Sequence, residues 1–172
     1  VFKPAPRKGN VVVRLHGTGK QKPLLLLAHL DVVPARRSDW SMEPFKLQES
    51  DGFLYGRRTE DDKFMATAFL ANVIRYRQEG FRPRRDIVVA LTADEEIGGG
   101  WGVAWLLKNH RNLIDAEFAL NEGGGVGLRN GKAARVLVAT AEKITVNFRL
   151  EVLDRGGTAR FRGLATPSRF SP

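Results

Sequence analysis

The amino-acid sequence predicts an α/β fold: a mainly parallel sheet flanked by helices, followed by the start of a second, smaller domain. Three observations carry this expectation. Residues 24–28 and 87–91 are short, continuous apolar runs of the kind found in strands buried on both faces, and residues 118–120 make a shorter third run. Residues 62–78 place Met65, Phe69, Val73 and Tyr76 at helical spacing, with Ala66, Leu70 and Ile74 beside them. Strands and helices alternate along the chain, which argues for parallel strands joined by helical crossovers.

The elements follow in order. Residues 11–15 read as a first strand, closed by the turn His16-Gly17-Thr18-Gly19. The run at 24–28 ends in His29. Residues 34–56 are polar and turn-rich, with Asp51-Gly52 expected as a hairpin turn between 45–47 and 53–55. Gly80 stops the long helix, and the strand at 87–91 runs into Thr92-Ala93-Asp94-Glu95-Glu96. Gly98-Gly99-Gly100 leads into a second helix carrying Val103, Leu106 and Leu107. The strand at 118–120 ends in Asn121-Glu122 and a glycine run, and further strands are expected at 136–139 and 144–152.

Composition narrows the chemistry. The 172 residues, 42% hydrophobic and 27% charged, suit a soluble globular chain long enough to bury a core. There is no cysteine, so disulfides and cysteinyl metal sites are excluded and any metal must sit on His, Asp or Glu. A net charge of +9 invites a nucleic-acid-binding reading. The basic residues, however, are dispersed (Arg7, Arg36, Arg57, Arg84 and others) and do not alternate with aromatics, the pattern of a solvated surface. No apolar run reaches the length of a membrane span. The expectation is therefore neither a nucleic-acid nor a membrane partner. The chain opens with Val1, and the compartment stays open between cytoplasm and periplasm.

Titratable residues collect at one topological place. His29 and Asp31 follow the first buried strand, Glu95 and Glu96 the second, and Glu122 the third, where open α/β sheets bind ligands. Glu60-Asp61-Asp62 precedes the long helix. Most have a plain structural explanation: a lone His at a strand end is more often a satisfied core residue, Glu60-Asp61-Asp62 suits a helix N-terminus and Glu122 an ordinary loop, whereas Glu95-Glu96 after an apolar strand is harder to explain that way. Taken together, so many carboxylates converging on one edge would repel one another unless a cation were present.

Four motifs in sequence order carry a family resemblance: His29-Leu30-Asp31-Val32-Val33-Pro34, Tyr55-Gly56-Arg57-Arg58-Thr59-Glu60-Asp61-Asp62-Lys63, Asp94-Glu95-Glu96-Ile97-Gly98-Gly99 and Asn121-Glu122-Gly123-Gly124. In these the chain resembles the M20 metallopeptidases, which include aminoacylases, deacylases and dipeptidases. The resemblance implies a two-zinc site: His29 and Glu122 on one Zn2+, Glu96 on the other, and Asp61 bridging. It also implies that Asp31 orients His29 and that Glu95 acts as the general base. The implied substrate is an N-acyl amino acid or short peptide, since Glu at position 122 resembles the deacylase and carboxypeptidase branches. The implied assembly is a homodimer.

Departures from the pattern set further expectations. Arg58 stands where the family usually has glycine, which strains the loop if that position needs positive φ. Phe64 stands where small residues are common. Family members continue through Gly-Gly-His-Ser-Ser into a lid domain and back to a later zinc-binding His. Here the chain reads Gly156-Gly157-Thr158-Ala159-Arg160-Phe161-Arg162, and its histidines are His16, His29 and His110. Losing one base from codons for Gly-Gly-His-Ser-Ser-Phe-Pro yields this reading. The expected organisation is a partial catalytic domain at 1–141, the first lid strand at 142–157 and an out-of-frame tail at 158–172, a chain cut short at both ends. Such a chain is expected to bind about one zinc and to be impaired. The alternatives are an inactive remnant of the same fold and a basic nucleic-acid-binding module.

Overall fold

The computed structural model describes residues 1–138, 152–154 and 157–159. The chain divides into two compact units, Val1–Gly123 and Gly124–Pro172. In the first unit, β1 (Phe2–Ala5), β2 (Lys8–Leu15) and β3 (Gln21–His29) are followed by the small hairpin β4 (Gln48–Ser50) and β5 (Phe53–Tyr55). Then come α1 (Lys63–Gln78), β6 (Arg85–Thr92), α2 (Val103–Ile114) and β7 (Phe118–Leu120).

One five-stranded sheet runs β1-β2-β6-β3-β7. β3 is parallel to both β6 and β7, whereas β2 is antiparallel to β6 and to β1. The sheet is thus mixed, a parallel core extended at one edge by a hairpin. Alternation along β3 and β6 splits their side chains between two faces. Leu26, Ala28, Val89 and Leu91 pack with Ala66 and Val73 of α1 on one face; Leu25, Val88 and Ala90 pack with Leu106 and Ile114 of α2 on the other. Of the residues expected to be apolar helix contacts, Ile74 and Leu107 face outward instead, 55% and 48% exposed.

Parallel β3 and β6 deliver their C-terminal ends side by side, His29 opposite Thr92. The N-terminus of α1 and the turn after β6 therefore meet at the same edge. Gly102, which begins α2, is required by close approach: a Cβ there would lie 2.0 Å from the Ala93 carbonyl oxygen.

Two details differ from the sequence expectation. Asp51-Gly52 is the hairpin turn, with φ of +52° and +77°, but the strand before it is Gln48–Ser50 rather than 45–47. A two-residue turn with positive φ at both positions fixes pairing from its own neighbours, so Ser50 meets Phe53, and Phe45 and Leu47 stay outside the ladder. In the second unit, a strand expected at 136–139 is β9 (Lys132–Leu137), paired antiparallel with β8 (Gly125–Arg129) inside the glycine run. The signal was Asn130-Gly131, another turn with positive φ at both residues. Beyond it, β10 (Val152–Asp154) pairs antiparallel with β11 (Gly157–Ala159). Most of the strand expected at 144–152, the boundary expected at 141 and the tail beyond residue 159 lie outside the described residues. Among the described residues no helix is long and apolar enough to cross a membrane.

Candidate metal centre

His29 is the last residue of β3 and is 3% exposed. Its Nδ1 lies 3.0 Å from the backbone carbonyl of Asp31 and 3.5 Å from that residue's Oδ1. Its Nε2 lies 3.0 Å from Asp61 Oδ1, 3.6 Å from Glu122 Oε2 and 3.8 Å from Glu95 Oε2. Among the described residues, both ring nitrogens thus face acceptors. A neutral imidazole can satisfy one of them as a donor, which leaves the other nitrogen's lone pair against carboxylate oxygens. A second proton or a metal ion relieves that conflict. Burial works against protonation of His29, but Asp61, Glu122, Glu95 and the Asp31 carbonyl outweigh it and raise its pKa above the ordinary 6.5.

Two of the surrounding carboxyls are shifted upward as well. Glu122 is pushed up by burial and by the negative charges of Glu95 and Asp61. Asp62 is pushed up by burial, although the His29 N–H, donated to its Oδ2 at 3.0 Å, partly offsets this. Proton uptake by a carboxyl group is one way a crowded cluster relieves its charge; a bound cation is the other.

Two groups bring their potential ligand atoms within 4.8 Å of one another: His29, Asp62 and Glu122, and His29, Glu95 and Glu96. Together with Asp31 and Asp61, which lie beside the ring, the residues to which the resemblance assigns a role meet at His29. Asp31 does so in a different way from that expected. Its carbonyl, more closely than its carboxylate, holds His29 Nδ1, while the carboxylate accepts the N–H groups of Glu95 at 3.1 Å and Glu96 at 3.2 Å. It ties the turn after β6 to the end of β3.

Four residues outside that set also shape the centre. Asp62 stands at the start of α1 but makes no side-chain cap hydrogen bond; its Oδ2 accepts the His29 backbone N–H instead. The Asp61–Asp62 peptide is cis. Asp94, at φ +75°, pairs with Lys8 and accepts the Trp101 N–H at 3.1 Å, and Lys8 holds its pKa below the usual carboxylate range. Asn10, fully buried, donates to the Trp101 carbonyl at 2.8 Å and accepts the Ala93 N–H at 3.0 Å. Asp94 and Asn10 brace both sides of the one-turn 3-10 segment Glu95–Ile97. Arg58 takes the positive φ expected to strain it, +67°, and its guanidinium pairs with both Asp61 and Glu96.

Residues 25–162 match the family described as Peptidase family M20/M25/M40. The chain belongs to that family. It is 38% identical over 134 residues to the N-fatty-acyl-amino acid synthase/hydrolase PM20D1 of Xenopus tropicalis, covering 76% of this chain and 26% of that protein. It is 37% identical over 120 residues to aminoacylase-1 of Sus scrofa, covering 67% and 30%. Among solved structures, human carnosine dipeptidase 1 matches 65% of this M20-family chain with a TM-score of 0.57 and 25% identity, which is 24% of that protein. This chain thus spans about a quarter to a third of the relatives it matches.

Proposed function

We propose that this chain carries the metal-binding and proton-transfer groups of a zinc-dependent hydrolase acting on the amide bond of an N-acyl amino acid or short peptide. The observation that carries this reading is the buried His29 ring, whose Nδ1 and Nε2 both face acceptor oxygens. Such an arrangement fits a cation at Nε2. His29, Asp61 and Glu122 supply one imidazole and two carboxylates, a donor set suited to a catalytic zinc with one position left for water or substrate. Bound there, zinc supplies a Lewis acid and brings the pKa of a coordinated water toward 7.

The protein's own groups do the rest. The Asp31 carbonyl accepts the Nδ1 proton and so leaves Nε2 free to bind. The Glu95 carboxylate, 49% exposed beside His29, is placed to take a proton from the attacking water and return it to the leaving amine nitrogen. The substrate class follows the named activities of PM20D1, aminoacylase-1 and the carnosine dipeptidase.

A second reading, zinc binding without turnover, draws on Arg58, which engages two of the expected ligands. A panel of N-acyl amino acids and dipeptides, assayed with zinc and with chelator, tests both. Zinc-dependent hydrolysis that falls about 10²–10⁴-fold in Glu95→Gln, with metal still bound, supports the first reading. Bound zinc with no hydrolysis supports the second. Hydrolysis unaffected by chelator contradicts both.

A further inference from the structure

The centre already contains one cation, and the chain itself supplies it. Arg57 and Arg58 are neighbours with opposite fates. The Arg57 guanidinium lies over the Trp40 ring, 5.2 Å from its centroid. Arg58 turns inward, with its side chain 12% exposed, and pairs through Nη1 with Asp61 Oδ2 and through Nη2 with Glu96 Oε1. Its backbone sits at φ +67°, a region that L-residues enter at a cost and that glycine enters freely.

The geometry at Asp61 divides the site in two. One oxygen, Oδ1, faces His29 Nε2 at 3.0 Å, and the other, Oδ2, faces Arg58. Asp61 thus bridges an imidazole side and a guanidinium side. Glu96, only 15% exposed, reaches the guanidinium from the turn after β6. Two carboxylates from separate elements that share one guanidinium, one of them mostly buried, need a positive charge between them. A guanidinium meets that need permanently: it keeps its charge at every accessible pH, and its fork of N–H groups can hold two carboxylates at once. An incoming divalent ion would have to expel a group that is tethered in place.

We propose that Arg58 is a built-in counter-ion occupying the position between Asp61 and Glu96 where the family resemblance places a second zinc. The centre then takes one divalent ion, on the His29 side of Asp61. This inference rests on the metal-dependent reading for its His29 side only; the Arg58 side stands on the ion pairs themselves.

The test is zinc binding by calorimetry, with elemental analysis of the metal retained, for the wild-type chain, Arg58→Gly and Arg58→Gly/Glu96→Gln. Glycine suits the φ of position 58, so the first variant is expected to fold. The wild type should bind one zinc. Arg58→Gly should bind two, the second about tenfold or more weakly because two carboxylates make fewer than the usual three protein ligands. The double variant should lose that second event. In chelator, Arg58→Gly should melt below the wild type, and zinc should raise its melting temperature by more. Two ions on the wild type would overturn the inference while leaving the metal-dependent reading intact, as would an Arg58→Gly isotherm with a single event like the wild type's. No zinc on the wild type but one on Arg58→Gly would uphold Arg58 as the counter-ion and refute the His29 site. No zinc on either would refute both.

Discussion

Replacing Asp31 with alanine isolates the link between the two halves of the centre. The Asp31 carboxylate accepts two backbone N–H groups, from Glu95 at 3.1 Å and Glu96 at 3.2 Å, and its side chain is 23% exposed. Hydrogen bonds to a charged acceptor contribute about 1.5–3 kcal/mol each, and partial exposure places these two near the lower figure, for a loss of roughly 3 kcal/mol. In a chain of this size that corresponds to a fall of about 6–12 °C in melting temperature. The carbonyl that holds His29 Nδ1 survives the substitution, so zinc affinity should fall only about tenfold, the low end for an outer hydrogen-bond partner. Turnover should fall further, because Glu95 loses the tie that positions it. Asp31→Asn keeps one acceptor oxygen but sets an amide N–H2 against the second N–H, so it should recover about half the stability loss. Thermal melts in chelator, zinc calorimetry and hydrolysis assays on the same three proteins read these effects separately. Wild-type melting and turnover in Asp31→Ala would refute the argument. So would an asparagine variant indistinguishable from wild type, because it would show the second oxygen and the charge to be idle.

Three other outcomes follow from the structure. His29 has a folded-state pKa above its ordinary 6.5, so in chelator its contribution to stability is fully present below that value and is lost as pH rises through the raised pKa. Zinc must displace the Nε2 proton, so apparent zinc affinity should rise about tenfold per pH unit below the raised pKa and level off above it, as read by calorimetry at several pH values. Leu106→Ala, at a site with no exposure and packed against Val88 and Ile114, should cost about 3 kcal/mol in denaturant unfolding while leaving zinc affinity unchanged.

Most of the sheet, and the convergence of the candidate residues at one of its edges, were legible in the sequence. The apolar runs ending at His29 and Thr92 became adjacent parallel strands, and parallel pairing brings their ends together whatever the side chains are. That is why His29, Glu95 and Glu96 were readable as one cluster. The antiparallel β1–β2 edge was less readable, because strand direction depends on connections rather than on periodicity. The role of Asp62 was hidden by an equally good local explanation at a helix N-terminus, and only the fold shows its carboxylate on the His29 backbone. Asn10 and Lys8 lie more than 80 residues from the groups they hold, and nothing local marks them. Arg58 was visible as a departure at a glycine-like position, but its pairing with Glu96 depends on a turn 38 residues away.

In the proposed centre a metal ion sits on His29 Nε2 between Asp61 and Glu122. Crystals of the chain grown with zinc, measured on both sides of the zinc absorption edge, test it directly. An anomalous peak is expected about 2.0–2.2 Å from His29 Nε2 and in contact with carboxylate oxygens of Asp61 and Glu122. An ordered His29 ring with no such peak, its Nε2 still hydrogen-bonded to Asp61 at saturating zinc, would contradict it.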